Sequence, residues 1–150
     1  MDLILWRHAE AEDGSVDLER ELTAKGHKQA ARVAEWLLQR LPAGFALMSS
    51  PALRAAQTAR ALGIPAKTFK ALAPGAAVSD ILQAAGWPGS RNTVVLVGHQ
   101  PDLGQAAAYL VAGSRSGLSI KKGGLWWITH RMRGDDAQVV VRAVMSPDLL

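Results

Sequence analysis

The stretch Leu3-Ile4-Leu5-Trp6-Arg7-His8-Ala9-Glu10 decides the fold of this 150-residue chain. Its apolar run predicts a buried strand of a parallel sheet, and that run ends abruptly at Arg7 and His8. In open α/β sheets, ligands bind beyond the carboxyl ends of the strands. We therefore expect a cation and an imidazole at the edge of the sheet where a ligand would bind.

A second apolar run, at 93–98, ends in the same manner with His99. One histidine at the end of a strand is most simply a solvated loop residue. Two such histidines, one of them next to an arginine, are better explained by a shared pocket. The sequence thus predicts that His8 and His99 face each other across one edge of the sheet.

The rest of the chain alternates predicted helices and strands. In order, these are a helix from an N-cap at Thr23 to about Arg40, a strand at 45–48, a helix at 52–62 with Ser50 as N-cap and Pro51 at its first position, a short strand at 67–72, a helix at 78–85, the strand at 93–98, a helix at 103–111, and a hairpin of strands at 125–129 and 138–144. This order predicts a three-layer α/β fold, with a mostly parallel central sheet, helices on both faces and an antiparallel C-terminal hairpin at the edge. With no linker long enough to divide it, we expect one domain over residues 1–150.

Composition excludes several classes of protein. The chain is 49% hydrophobic and 20% charged, which is ordinary for a globular protein, and it has no cysteine. A disulfide framework, a thiolate zinc site and a cysteine nucleophile are therefore excluded. We see no signal peptide or membrane span, so a cytoplasmic protein without a membrane partner is expected. The net charge of +4 is compatible with either nucleic acid or an anionic substrate and does not choose between them.

The residues at three predicted strand ends suit a tetrahedral oxyanion. Arg7 and His8 follow the first strand, Arg54 lies one turn past the second, and His99 follows the strand at 93–98. Guanidinium groups match phosphoryl oxygens in bidentate geometry and stay charged at any working pH. One imidazole can then attack phosphorus as a covalent nucleophile while the cations neutralise the equatorial oxygens.

At these residues the chain resembles the histidine phosphatase superfamily, and more closely its SixA-type phosphohistidine phosphatases. The matching segments are LILWRHAE at 3–10, RELTAKG at 20–26, SSPALRAAQTA at 49–59, VGHQPDLG at 97–104 and MSPDLL at 145–150. The resemblance implies a phosphoglycerate-mutase-like fold, a nucleophilic His8, and an oxyanion pocket of Arg7, Arg54 and His99. It also implies that neither a metal nor an organic cofactor is needed.

We therefore predict a metal-independent phosphatase that hydrolyses phosphohistidine on a protein through a phospho-His8 intermediate. The short chain has no inserted subdomain to enclose a small metabolite, so a protein-borne side chain is the favoured substrate. The alternatives are a phosphomonoesterase acting on a small phosphorylated metabolite and a non-catalytic module that binds phosphate or nucleic acid. We expect a monomer that binds no nucleic acid.

The chain departs from the wider superfamily in one respect. Larger members carry an acidic general acid near the middle of the chain, where this sequence has only apolar residues and glycine at 71–75. Either Asp80 or one of Glu10, Glu12 and Asp13 donates the proton, or the substrate scarcely needs a donor.

Arg20 has two interpretations of about equal weight. It either reaches the mouth of the pocket as a further contact for the substrate anion, or forms a surface ion pair with Glu19 or Glu21.

Overall fold

The computed structural model describes residues 1–114 and 116–150, which contain one six-stranded sheet and four α-helices. The strands are β1 (Asp2–Arg7), β2 (Ala46–Ser49), β3 (Lys67–Thr68), β4 (Val94–Gly98), β5 (Leu125–Arg133) and β6 (Asp136–Met145). The helices are α1 (Ala24–Leu38), α2 (Leu53–Arg60), α3 (Val78–Ala85) and α4 (Asp102–Ala112). Within the described residues, no helix is both long and apolar enough to cross a membrane.

The strands are arranged in the order β3-β2-β4-β1-β5-β6. The first four of these pair in parallel, whereas β5 pairs antiparallel with β1 and β6 pairs antiparallel with β5. The C-terminal hairpin thus forms one edge of the sheet. This confirms the predicted mostly parallel sheet with an antiparallel edge.

Alternate residues of β1 face opposite layers of helices. Ile4 and Trp6 pack in a core with residues of α1 and α2, whereas Leu3 and Leu5 pack in a second core with residues of α3 and α4. All four side chains are fully buried. Successive side chains of a strand point to opposite faces of the sheet, so a central strand covered by helices on both faces is apolar at every position. The two cores confirm the predicted three layers.

Parallel pairing brings the ends of β1 and β4 together. Arg7 is paired with Gly98 in the register of the two strands, and the backbone N–H of His8 donates to the Gly98 carbonyl at 3.0 Å. His8 and His99 therefore leave the sheet side by side, as the two apolar runs predicted.

The predicted boundaries differ most around α2. This helix begins at Leu53 with Ala52 as its N-cap, so the assignment of Ser50 as N-cap and Pro51 as first helical residue was wrong. The backbone of Ser50 still belongs to the sheet edge, because its N–H donates to the Val97 carbonyl at 3.0 Å. The chain needs the next two residues to turn from the strand into the helix.

Two other boundaries also differ. The strand predicted at 67–72 is paired only at Lys67–Thr68, since residues 70–72 turn into a 3-10 helix. Both hairpin strands extend further than predicted, up to a turn in which Gly134 has a φ of +62°. The prediction of Thr23 as N-cap of α1 is confirmed, because its hydroxyl accepts a hydrogen bond from the Gly26 N–H at 2.9 Å.

Gly26 allows α1 to lie against the segment that follows β1. A Cβ atom at this position would come within 2.0 Å of the Glu10 carbonyl oxygen. Glycine lowers helix propensity, but here its missing side chain permits a close approach of two backbones. The helix thereby supports the residues directly after His8.

Candidate active site

His8 is held in one neutral form. Its side chain is 9% exposed, and its Nδ1 lies 2.7 Å from the Ala9 carbonyl oxygen. A carbonyl only accepts, so Nδ1 carries the hydrogen and Nε2 has the lone pair. Burial lowers the pKa of His8 to about 4, and the nearby charge of Arg54 acts in the same direction. The ring is therefore neutral at physiological pH.

The chain after His8 is tied to α2. The Ala9 N–H donates to the Thr58 hydroxyl at 3.0 Å, and that hydroxyl donates to the Arg54 carbonyl at 2.8 Å. Thr58 is fully buried. It links the segment that carries His8 to the helix that carries Arg54.

Arg54 contacts both histidines. The side chain is 5% exposed, its Nε lies 3.3 Å from His8 Nε2, and its Nη2 lies 3.4 Å from His99 Nδ1. A guanidinium only donates hydrogen bonds, so both ring nitrogens accept. The residue predicted to bind the substrate anion thus lies directly against the lone pair of His8.

His99 faces His8 across the pocket. The ring is 3% exposed, and its centroid lies 5.2 Å from that of His8, with a tilt of 54°. Burial lowers the pKa of His99 to about 3, and the proximity of the His8 ring and the charge of Arg54 act in the same direction. Its second nitrogen, Nε2, lies 2.7 Å from the Ser50 hydroxyl.

Arg7 lies at the end of β1 beside this group. Its Nη1 donates to the Ile120 carbonyl at 2.6 Å, and its buried Nε has no hydrogen-bond partner within the part of the chain that the structure describes. Burial lowers the pKa of Arg7 from its usual value. Its charge lowers the pKa of both His8 and His99, which places the guanidinium within electrostatic reach of the pocket.

Asp17 is a member of the site that the sequence did not reveal. It begins the 3-10 helix Asp17–Glu19, and Arg54 donates both to its carbonyl oxygen at 2.7 Å and to its Oδ2 at 3.2 Å. Hydrogen bonds from Arg20 and then from Arg54 hold the pKa of Asp17 below its usual value. The carboxylate is therefore ionised at neutral pH and occupies donors of Arg54.

Arg20 acts through Asp17. It donates to Asp17 Oδ1 at 3.1 Å and to the Glu12 carbonyl at 2.8 Å. The predicted ion pair with Glu19 or Glu21 was therefore assigned to the wrong carboxylate. The sequence contains one signal for the observed pair, because residues three apart meet on a helical turn.

The four carboxylates considered as proton donors lie elsewhere. Glu10 is engaged by the Thr23 hydroxyl at 3.1 Å and lies near Lys25, and Asp80 is exposed in the first turn of α3. The exposed Glu12 and Asp13 line a hollow of about 300 Å³ in the loop after β1. Within residues 1–114 and 116–150, none of the four is hydrogen-bonded or ion-paired to His8, Arg54 or His99.

The mid-chain loop is held by a buried carboxylate instead of carrying one. Asp102, which is 5% exposed, accepts hydrogen bonds through Oδ2 from the N–H groups of Gly75 at 2.8 Å and Ala76 at 3.2 Å. Among the described residues, no group of three or more His, Cys, Asp or Glu side chains is arranged to hold a metal ion.

Comparison with known proteins agrees with this arrangement. The family model for branch 1 of the histidine phosphatase superfamily matches residues 3–73. An uncharacterized protein of Picosynechococcus sp. is 36% identical over 137 residues, covering 83% of this chain and 82% of the relative. An uncharacterized protein of Mycobacterium tuberculosis is 32% identical over 121 residues, covering 76% of this chain and 75% of the relative.

Solved structures are similar over nearly the whole chain. The protein histidine phosphatase SixA in complex with tungstate superposes with a TM-score of 0.82 at 26% identity, covering 99% of both chains. The phosphoserine phosphatase of Entamoeba histolytica, at 17% identity and a TM-score of 0.70 over 99% of this chain and 98% of its own, shares the fold. This chain therefore belongs to the histidine phosphatase superfamily, as a phosphatase of the SixA type.

Proposed function

We propose that this protein hydrolyses phosphohistidine on a protein substrate through an intermediate in which His8 Nε2 carries the phosphoryl group. The observation that carries the proposal is the tautomer and orientation of the His8 ring. Its Nδ1–H is held by the Ala9 carbonyl at 2.7 Å, which leaves the Nε2 lone pair on the side of the ring facing Arg54. A neutral imidazole fixed in this tautomer is ready for in-line attack on phosphorus.

The reaction proceeds in two displacements. In the first, solvent protonates the other ring nitrogen of the substrate phosphohistidine, and the His8 Nε2–P bond then forms as the substrate P–N bond breaks. The substrate leaves with the electron pair as neutral imidazole. In the second, water attacks phosphorus, the His8–P bond breaks, and inorganic phosphate is released. His8 returns to the neutral state with its proton still on Nδ1.

Two arginines supply the charge that the phosphoryl group requires. Arg54 is nearly fully buried and lies against His8, and the buried Nε of Arg7 has no partner within the described residues. Fixed cations in a site that excludes water stabilise charge on the equatorial oxygens strongly. The arrangement supports a mechanism in which positioning and charge provide most of the catalysis.

The ionisation of the Asp17 carboxylate favours a phosphoramidate as the substrate. It is the carboxylate that contacts Arg54 in the described site, and its depressed pKa keeps it ionised, so it is a poor proton donor at neutral pH. Expulsion of an alkoxide from an alkyl phosphate depends on a general acid, whose contribution is ~10² to 10⁴-fold. Imidazole is a much weaker base and leaves without such help.

We propose that residues 1–150 work as one catalytic domain for this reaction.

The proposal is tested by measuring phosphate release from matched phosphohistidine and phosphoserine peptides, together with an activated aryl phosphate. We expect kcat/KM to be on the order of 10²-fold or more higher for phosphohistidine than for phosphoserine. The His8→Ala variant should be inactive, whereas a variant of the exposed His27 should retain activity. Equal rates on the two peptides would favour a general phosphomonoesterase, and no release from any substrate would favour a binding module.

A further inference from the structure

Ser50 is a buried hydroxyl in direct contact with His99. The residue is fully buried at the end of β2, and its Oγ lies 2.7 Å from His99 Nε2. Its position is fixed by two backbone contacts, from its own N–H to the Val97 carbonyl at 3.0 Å and from the Ala52 N–H to its Oγ at 3.2 Å. The hydroxyl supports the turn before α2 without capping the helix, and its shorter contact is the one with His99.

In the free protein the neighbours of His99 determine which nitrogen carries the hydrogen. Arg54 Nη2 lies 3.4 Å from His99 Nδ1 and can only donate, so Nδ1 is the acceptor. The neutral ring must then carry its hydrogen on Nε2 and donate it to Ser50 Oγ. A serine hydroxyl accepts this bond and keeps its own hydrogen free to rotate.

A bound phosphoryl group requires the opposite arrangement. The oxygens of a dianionic phosphoryl group only accept hydrogen bonds. The nitrogen of His99 on the side of Arg54 is Nδ1, so Nδ1 must become the donor. Burial, the proximity of the His8 ring and the charges of Arg54 and Arg7 outweigh the charge of Asp17 and hold the pKa of His99 well below neutral pH. The ring therefore has one hydrogen to place, and Nε2 must become an acceptor when Nδ1 is the donor.

We propose that Ser50 is a positioning residue that sets the proton on His99, accepting from Nε2 in the free protein and donating to Nε2 when phosphate is bound. The ring exchanges one proton with water in this change, losing it at Nε2 and gaining one at Nδ1, so its charge stays zero. Arg7 and Arg54 together balance a phosphate dianion without a third cation. The proposal rests on the proposed function for its role in turnover, but the tautomer change itself is a property of phosphate binding.

The direct test uses the full-length wild-type protein labelled with ¹⁵N in its histidine rings. NMR should show His99 protonated at Nε2 in the free protein and at Nδ1 after saturation with tungstate, a tetrahedral dianion that carries no O–H donor at neutral pH. An unchanged tautomer in the complex would overturn the proposal. A ring protonated at both nitrogens would also overturn it, because an imidazolium needs Ser50 only as an acceptor. This measurement needs no variant, so it does not depend on how a substitution folds.

The second test compares Ser50→Ala with Ser49→Ala. Ser49 is an equally buried neighbour whose hydroxyl donates to the Ser50 carbonyl at 2.9 Å and not to His99. Loss of a group that fixes a histidine tautomer should lower kcat on the order of tenfold in Ser50→Ala. Ser50→Thr, which keeps the hydroxyl, should recover part of that loss, while Ser49→Ala should stay near wild type.

The tautomer of His99 in the variants separates positioning from simple packing. In ¹⁵N-labelled Ser50→Ala saturated with tungstate, fewer His99 rings should carry their hydrogen on Nδ1 than in the wild type, because Nε2 has lost its donor. Ser49→Ala should match the wild type. A wild-type tautomer in Ser50→Ala, or an equal loss of kcat in Ser49→Ala, would overturn the proposal. A wild-type protein that hydrolyses no phosphorylated substrate would instead overturn the proposed function, leaving the NMR result to decide the role of Ser50.

Discussion

Asp17 Oδ2 lies 3.2 Å from Nη2 of Arg54, so the guanidinium expected to bind the phosphoryl group already holds a carboxylate. The side chain of Arg54 is 5% exposed, whereas that of Asp17 is 55% exposed. The arginine is therefore fixed in the pocket, and the aspartate reaches it from the surface loop after β1. An incoming phosphate has to compete with Asp17 for the same donors.

Replacing Asp17 with Asn should strengthen the binding of inorganic phosphate. The amide removes the negative charge that competes for Arg54, and an ion pair of this kind contributes on the order of 1 kcal/mol, so the inhibition constant for phosphate should fall roughly threefold to fivefold. Competitive inhibition of aryl phosphate hydrolysis measures this constant. Glu19→Gln, in the same 3-10 helix, is the matched control because it removes the same charge from an exposed position. Weaker phosphate binding in Asp17→Asn would mean that the carboxylate helps to form the pocket.

Rapid quenching in base should trap a phosphoryl group on His8. His8 directly follows Arg7 at the end of β1, as in the Arg-His pair of the superfamily, and its hydrogen is held on Nδ1 by the Ala9 carbonyl, which leaves Nε2 to attack phosphorus. Phosphorus bound to imidazole is labile in acid and stable in base, so the label should disappear on acidification. Mass spectrometry of the peptide that contains residues 3–10 locates the label. Finding it on His99, or finding full activity in His8→Ala, would contradict the assignment.

The strand ends were predictable from the sequence, and the contacts across the pocket were not. The runs ending at His8 and His99 indicated buried parallel strands, and parallel strands end at the same edge, so the meeting of the two histidines followed from the pattern alone. Asp17 could not be placed in this way. It lies in a loop with several other acidic residues, and its contact with Arg54 depends on the path of that loop in space.

Ser50 shows a different limit of sequence analysis. The sequence Ser-Ser-Pro is typical of a helix start, and the local preference correctly indicated that a helix follows. The hydrogen bond from Ser50 to Val97 in the neighbouring strand extends the sheet edge by one residue, and this moves the helix start to Leu53. Because of this tertiary contact, Ser50 is not the N-cap of α2 and lies next to His99.

Removing the guanidinium of Arg54 should lower kcat/KM on the order of 10²-fold or more, the scale for losing one preorganised transition-state donor. Arg54→Ala tests this against Arg60→Ala, which removes an exposed arginine at the other end of the same helix. Steady-state kinetics on the phosphohistidine peptide gives both values. A loss that is equal in the two variants would indicate a general effect of positive charge and not a contact with the phosphoryl group.

Chelation of divalent metals should leave the rate nearly unchanged. Arg7 and Arg54 provide two positive charges for a phosphoryl dianion, so the proposed mechanism balances charge without a metal ion. Activity is compared before and after extensive dialysis against a chelator, with and without added magnesium or zinc. Strong inhibition that added metal reverses would mean that the charge of the pocket has been assigned to the wrong groups.

Stability should fall as the pH is lowered through the ordinary histidine range. The pKa values of His8 and His99 are lowered to about 4 and about 3, whereas both rings titrate near 6.5 in the unfolded chain. Between pH 6.5 and 4 the unfolded state binds more protons, so the stabilisation is complete above pH 6.5 and is lost as the pH falls. Well inside this window, the free energy of unfolding should fall by about 1.4 kcal/mol per pH unit for each histidine.

Urea unfolding at a series of pH values between 7.5 and 4.5 measures this slope. Other groups titrate in the same range, so the result depends on comparing His8→Gln and His99→Gln with the wild type. Each variant should show a shallower loss of stability, because it no longer has one ring that must take up a proton on unfolding. His27→Gln is the control, since this exposed ring lies outside the pocket and its replacement should leave the slope as it is. Equal slopes in all four proteins would mean that the two buried rings are not kept neutral by the fold, and the case for His8 as a preformed neutral nucleophile would lose its electrostatic basis.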